Sequence, residues 1–280
     1  MTVRNLDFLF HPRAVAVVAE GGHPGCYADV VLRNLEGGGF KGPILRARAK
    51  KQSLFGLGAH MHVSELETVP DLAVICTPPA TVPGLIAQLG ARGTRAAIVV
   101  TAGLKQPAGQ GAGTLEQAML DAARPWLLRI LGPNCLGLLV PGLGLNASFA
   151  PGNAQPGALA FATQSGALAT AMLDWANSRA LGFSHFISMG DSADVDFGDV
   201  LDYLRAALTL EYGSVLVELA TDPSDGGRFG MDPVAVRDVG RLVEDRPLLL
   251  AERVVRYEEE QRAAGTWIEG SVVIASNLHP

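Results

Sequence analysis

The stretch Leu72-Ala73-Val74-Ile75-Cys76-Thr77-Pro78-Pro79 decides the fold class. Five uncharged, mostly apolar residues read as a strand buried on both faces, and the prolines that follow end it. A helix from about Val82 to Ala91 then leads into a second such run, Ala96-Ala97-Ile98-Val99-Val100. Apolar strands separated by helix-length connections indicate a parallel sheet covered on both sides. The pattern extends outward in both directions. Upstream stand a strand at Ala14 to Val18, a helix from Tyr27 to Leu35 closed by Gly37-Gly38-Gly39, and a strand at Pro43-Ile44-Leu45. Downstream stand a helix near Leu115 to Ala123 and a strand at Leu127 to Leu131.

After a Gly/Pro/Asn segment at Pro151 to Pro156, the alternation resumes as a second α/β unit. Its expected strands are Ala158 to Thr163, Phe183 to Ser188, Ser214 to Leu219 and Leu248 to Leu250. Its expected helices are Ala167 to Arg179, Val200 to Leu208 and Val234 to Glu244. The expected division is therefore 1–150 and 151–280, with a weaker pattern beyond Glu252 that ends in a short strand and tail.

Composition narrows the function classes. In 280 residues, 22 Lys and Arg face 28 Asp and Glu, for a net charge of −6, which argues against a general nucleic-acid binder. A hydrophobic fraction of 48% with 18% charged residues supports a substantial core. Cys26, Cys76 and Cys135 are odd in number and form no Cys-x-x-Cys pair, so a reducing cytoplasm is expected and a structural zinc or other metal site is not. The amino-terminal residues Met1 to Asp7 lack the basic flank and apolar core of a secretion signal. No charge occurs between Arg129 and Asp174, but Pro133, Pro141, Pro151 and Pro156 break that stretch, so a membrane span is not expected.

Parallel sheets bind ligands at the carboxyl ends of their strands. Gly21, Gly22, Pro24 and Gly25 follow the first strand, where glycines let a phosphate approach the backbone and a helix N-terminus. A phosphate grip and a plain tight turn are both open there. After the second strand, Arg46, Arg48, Lys50 and Lys51 stand where an NAD site wants an acid. Four cations suit a ribose phosphate, as in NADP or coenzyme A, and also suit a solvated basic face. Gly132-Pro133-Asn134-Cys135-Leu136-Gly137 follows the fifth strand, with Asn134 offering a donor and an acceptor. A structural turn is the alternative, and Cys135 has no general base nearby in sequence.

In the second unit, Thr163-Gln164-Ser165-Gly166 ends a strand and opens a helix, which makes either an anion site or an ordinary cap. The turn Gly190-Asp191-Ser192-Ala193-Asp194-Val195-Asp196 lacks the glycine and distal glutamate of an EF-hand; helix capping and a subunit contact explain it as well. Glu218 lies near the end of an otherwise apolar strand, where a carboxylate needs a partner.

Five segments in order carry a resemblance: Asp71 to Pro78, Gly132 to Gly137, Asn146-Ala147-Ser148-Phe149-Ala150, Gln164 to Leu168, and Ser188 to Asp196. From about Leu6 to about Pro247 the chain resembles the nucleoside-diphosphate-forming acyl-CoA synthetases, a family that includes the succinyl-CoA synthetase α-subunit. The resemblance implies a Rossmann-like CoA-binding domain followed by a flavodoxin-like ligase domain, both with mainly parallel sheets. It implies that the 19–28 loop, Thr77 and Pro78 contact the CoA nucleotide, and that Gly132 to Cys135 lie along the pantetheine arm. It implies that Gln164, Ser165 and Gly166 face a phosphohistidine oriented by Glu218. The implied reaction is acid + CoA + ATP giving acyl-CoA, ADP and phosphate. ATP and ADP would act through a partner subunit with an ATP-grasp fold, and a homo-oligomer is the other partner expected.

Ala19 and Ala28 replace the family's loop glycines, and Arg48-Ala49 replaces its Asn-Pro. The phosphohistidine segment is expected near Ala263 to Trp267 and contains no histidine; the six histidines are His11, His23, His60, His62, His185 and His279. That gap supports an alternative, a non-catalytic CoA-binding regulatory or interaction protein, similar to the synthetase-like region of certain protein lysine acetyltransferases. Asp174-Trp175-Ala176 and Asp196-Phe197-Gly198-Asp199 share that likeness. A third alternative, an NADP-dependent dehydrogenase, rests on the basic loop alone.

Overall fold

Aliphatic runs that alternate with helices up to Leu131 fold into one parallel sheet, as their spacing dictates. The computed structural model describes residues 3–20, 26–49, 61–109, 113–208, 214–219 and 272–277. The first sheet contains β1 (Val15–Ala19), β2 (Ile44–Arg48), β3 (Met61–His62), β4 (Leu72–Cys76), β5 (Ala96–Val99) and β6 (Arg129–Leu131). Their order is β3-β2-β1-β4-β5-β6 and every pairing is parallel. The strand order reverses at β1, which pairs with β2 on one side and β4 on the other; such a switch point opens a crevice at the carboxyl ends. Helices α1 (Asp7–Phe10), α2 (Tyr27–Gly38), α3 (Val82–Arg92) and α4 (Leu115–Ala123) connect and cover this sheet. The strand expected from Leu127 starts only at Arg129, because Leu127 adopts a left-handed φ of 54°.

The second sheet contains β7 (Gly137–Val140), β8 (Leu145–Ser148), β9 (Gln155–Thr163), β10 (Gly182–Ser188), β11 (Ser214–Leu219) and β12 (Val272–Asn277), in the order β12-β11-β9-β10-β7-β8. Parallel pairing is confined to its centre, β11-β9-β10, and antiparallel strands flank it on both sides. Helix α5 (Gly166–Ser178) follows β9, and α6 (Phe197–Leu208) follows β10. The β7–β8 hairpin lies in the uncharged, Gly- and Pro-rich stretch, which reads as buried strands and Gly-rich loops without fixing a strand at these positions. In sheet membership the changeover therefore comes at Gly132 to Leu136, ahead of the Pro151 segment. The helix expected at 234–244 and the strand expected at 248–250 lie outside the described residues.

Period-two burial sorts the first sheet into two faces. Ala16, Val18, Ala73, Ile75, Ala97 and Val99 pack under α3 and α4. Val15, Val17, Leu72, Val74 and Ile98 face a central layer with α1, α2 and α6 residues, which the second sheet closes from the far side through Leu138, Ala160, Ala162 and Ile187. Helix α5 covers the outer face of the second sheet through Ala169, Leu173 and Ala176 against Phe161, Phe183 and Phe186. A register shift in β10 between Phe183 and His185 lets Phe183 and Phe186 share that aromatic cluster, while His185 packs against Phe10.

Polar ties fasten the seam between the sheets. Arg129, 7% exposed, reaches from the edge strand β6 to Asp194 (3.1 Å) and Asp199 (2.5 Å). Burial opposes its charge, but the two carboxylates outweigh that and hold the guanidinium pKa above its ordinary value. The turn from Gly190 to Asp196 also completes the open edge of β6: Asp194 accepts the Ile130 N–H at 2.7 Å, and the Val195 N–H donates to the Ile130 carbonyl at 3.1 Å. Asp196 caps α6, its Oδ1 accepting the Asp199 N–H at 2.8 Å. On the α2 side, Asn34 Nδ2 donates to the carbonyls of Ser148 and Ala150, each at 2.9 Å.

Candidate functional site

The carboxyl ends of β1, β4, β5 and β6 meet along one margin of the first sheet. Gly21, Gly22, Pro24 and Gly25, which follow β1 in the sequence, lie outside the described residues. They are flanked by Ala19, which ends β1, and by Cys26, which precedes the first turn of α2 in extended backbone. Arg48 ends β2 in register with Ala19, at the margin. Arg46 sits two residues back from that end, and its guanidinium pairs with Glu36 of α2 at 2.6 Å. The basic run is thus not a uniform face: one of its cations is already committed to a helix carboxylate, and Lys50 and Lys51 lie outside the described residues.

Beyond β4 the chain makes a hydroxyl-lined turn. Thr77 is buried and Pro78 exposed. The Thr81 hydroxyl lies 2.9 Å from Thr77 Oγ1 and 2.8 Å from the Pro78 carbonyl, and donates to one of them. Thr101, just past β5, donates its hydroxyl to the Thr77 carbonyl at 2.6 Å and accepts the Asn134 N–H on its own carbonyl at 3.1 Å. One residue therefore braces the β4 and β6 turns against each other. Asn134 is exposed, with a left-handed φ of 58°. Thr101 was no candidate from the sequence, because the bond that reveals it runs to a residue 24 positions away.

Cys135 turns the opposite way. It is 2% exposed, with its sulfur 3.5 Å from the Val99 carbonyl, so only its backbone is available to a ligand. Burial pushes its thiol up to about 12. Cys76 is likewise pushed up to about 12 by burial, reinforced by Cys135 and Cys26. Neither is a thiolate at neutral pH, so neither is poised as a nucleophile. The three cysteines are free.

In the second unit, the end of β9 and the start of α5 form the expected turn. Ser165 Oγ accepts the Leu168 N–H at 3.2 Å, and Thr163 Oγ1 accepts the Ser165 N–H at 3.1 Å. Gln164 is half-buried, and a Cβ placed on the exposed Gly166 would meet nothing within 4 Å among the described residues. Glu218 stands in β11, the strand beside β9; its carboxylate lies outside the described side chains.

A single loop joins the two half-sites. The Met189 N–H donates to the Thr163 carbonyl at 2.7 Å, next to the α5 turn, and the Asp191 N–H donates to the Pro133 carbonyl at 2.8 Å, next to Asn134. Gly190 makes the junction possible. Its φ is +59°, and a Cβ there would run into the Pro133 and Asn134 carbonyls. Among the described residues no group of three or more His, Cys, Asp or Glu side chains is placed to hold a metal ion. No helix among them is long and apolar enough to cross a membrane.

Comparison with known proteins matches both units. A CoA binding domain family model covers residues 13–141, and a succinyl-CoA ligase-like flavodoxin domain model covers 156–228. The chain is 32% identical over 266 residues to the acetate–CoA ligase (ADP-forming) I subunit alpha of Pyrococcus furiosus, covering 94% of this chain and 55% of that one. It is 31% identical over 199 residues to acetate–CoA ligase (ADP-forming) I of Archaeoglobus fulgidus, covering 71% of this chain and 29% of that one. A solved structure, the dinucleotide forming acetyl-coenzyme A synthetase 1 of Ca. Korarchaeum cryptofilum in its apo form, superposes with a TM-score of 0.63 at 36% identity, covering 71% of this chain and 43% of that one. The chain thus spans about half the length, or less, of these relatives.

Proposed function

Taking as premise that this chain belongs to the nucleoside-diphosphate-forming acyl-CoA synthetase family, we propose that it is the CoA-binding component of an ADP-forming acyl-CoA synthetase. The carrying observation is the braced margin of the first sheet, where Thr77, Thr101 and Asn134 hold two turns in fixed relation beside a switch point. These groups fit CoA chemically. Exposed backbone around Pro78, the Arg48 cation and the α2 N-terminus suit a phosphorylated nucleotide, and the Asn134 amide suits a polar arm. Gly21, Gly22, Pro24 and Gly25 would approach the phosphates, and the Cys135 backbone would line the arm.

In the second unit, Gln164, Ser165 and Gly166 would present the α5 N-terminus to a phosphoryl group or an acyl phosphate, with Glu218 as the carboxylate partner of the relay. The overall reaction would be acid + CoA + ATP giving acyl-CoA, ADP and phosphate, with a small carboxylic acid as substrate. ATP would be handled by a partner subunit of ATP-grasp type, and this chain's residues would position CoA and stabilise charge. Residues 1–150 and 151–280 remain the proposed functional division, in a cytoplasmic protein.

A second reading is favoured by one observation, the absence of a histidine from Ala263 to Trp267. On that reading the chain binds CoA without catalysis, as a regulatory or interaction module. Isothermal titration with CoA and with NADP tests the shared premise: CoA binding supports it, and tighter NADP binding overturns it. Mixing the chain with an ATP-grasp subunit and assaying acid-dependent ADP release then separates the two readings. Release supports the synthetase, and CoA binding without release supports the module.

A further inference from the structure

Asp191 is not among the residues proposed above to touch a ligand, yet it is bonded to one of them. Its Oδ1 lies 3.2 Å from Asn134 Nδ2, while its own N–H is held by the Pro133 carbonyl. An ionised carboxylate only accepts hydrogen bonds, so the Asn134 NH2 group must face it and the amide oxygen must face away. Among the described residues that oxygen has no protein partner, and Asn134 is exposed. The backbone of Asn134 is fixed separately, by its N–H bond to the Thr101 carbonyl. Asp191 therefore controls one remaining degree of freedom, the direction in which the amide presents its acceptor.

We propose that Asp191 is a positioning residue that turns the Asn134 amide oxygen into the ligand groove, where it accepts from an N–H donor of the pantetheine arm; this rests on the CoA reading above. Chemistry favours the arm over the nucleotide's phosphates, because phosphate oxygens near neutral pH are acceptors and an amide oxygen recognises donors. Position favours it too. Asn134 follows β6, three strand spacings from the carboxyl end of β1, which at ~4.8 Å each is about 14 Å. A ligand whose phosphates sit between the end of β1 and the α2 N-terminus reaches Asn134 only with an extended arm. The loop that carries Asp191 also bonds the end of β9 through Met189, so the arm's acceptor is set by the unit that holds the α5 turn.

The test is calorimetric titration of the full chain and its variants with CoA and with adenosine 3′,5′-bisphosphate, which lacks the arm. D191A keeps the main-chain bond to Pro133 and is expected to weaken CoA binding roughly tenfold, the scale of one charge-assisted hydrogen bond. Binding of the bisphosphate is expected to be unchanged. D191N, whose side-chain oxygen still accepts, should recover most of the CoA affinity. The double variant N134A/D191A should bind CoA no more weakly than N134A, because Asp191 acts only through Asn134. D191S replaces D191A if a melting curve shows the alanine variant unfolded. Equal losses for both ligands, or independent losses in the double variant, overturn the proposal. A wild-type chain that binds no CoA overturns the ligand reading instead, whereas wild-type and D191A chains that bind CoA equally overturn only the role of Asp191.

Discussion

Replacing Arg129 with methionine removes the cation that bridges Asp194 and Asp199 in the seam, while preserving most of the side-chain volume. Asp194 is 27% exposed and keeps the Ile130 N–H at 2.7 Å, so it tolerates the loss. Asp199 is 6% exposed and loses a 2.5 Å charge-assisted bond, so the stranded charge is chiefly its own. Breaking a buried ion pair from one side costs about 3–5 kcal/mol, and the partial wetting of Asp194 puts R129M at the lower end, about 3 kcal/mol. With a urea dependence of about 3 kcal/mol per molar for a chain of this size, the midpoint should fall by about 1 M. R129M/D199N should regain more than half of that, because the second change removes the charge the first one strands. Urea unfolding followed by far-ultraviolet circular dichroism at neutral pH measures all three proteins. A loss below about 1 kcal/mol for R129M, or a double variant weaker than either single one, refutes the reasoning.

The His185 ring is 7% exposed, neither ring nitrogen has a partner, and burial, with His11 beside it, pushes its pKa down to about 4. Phe10 and His11 pack edge-on against it; His11 Nδ1 lies 2.9 Å from the Tyr203 hydroxyl, which donates to Asp7 at 3.0 Å. The unfolded chain takes a proton near 6.5 and the folded chain does not, so stability is complete above 6.5 and declines as pH falls towards 4, by about 2 kcal/mol at pH 5. H185F should flatten that window in urea melts, and an unchanged slope would disprove the assignment. Gly190→Ala forces a left-handed φ and a Cβ onto the Pro133 and Asn134 carbonyls; the expected loss is about 3 kcal/mol, read as a lowered melting temperature, and a neutral substitution would contradict the junction described.

Much of the first sheet is legible in the sequence because its strands are short, aliphatic and separated by capped helices. Leu72–Cys76 and Leu115–Ala123 fall where the periodicity places them. The β7–β8 hairpin is not legible, since Gly137, Pro141, Gly142 and Gly144 imitate a loop and its pairing partner, β10, begins some 40 residues later. Helix α6 starts at Phe197 rather than Val200 because Asp196 supplies a cap that apolar spacing does not register. At the site, the residue types at strand ends could be read, but not their engagements. Arg46 looks like a phosphate ligand until Glu36 is found beside it, and Asp191 looks like a cap until its bond to Asn134 is seen. Both facts depend on distances between segments, which a linear pattern does not encode.

The way Gly190 to Asp196 zips onto the rim of β6 has a bearing on how such chains can be recombined. A chimera that takes everything up to Leu131 from this chain and the remainder from a relative separates Arg129 from Asp194 and Asp199 and asks it to dock on a different turn. Grafts with a breakpoint there should inherit a mismatched rim, whereas swaps that carry Arg129 together with Asp194 and Asp199 keep the donor's own fastening.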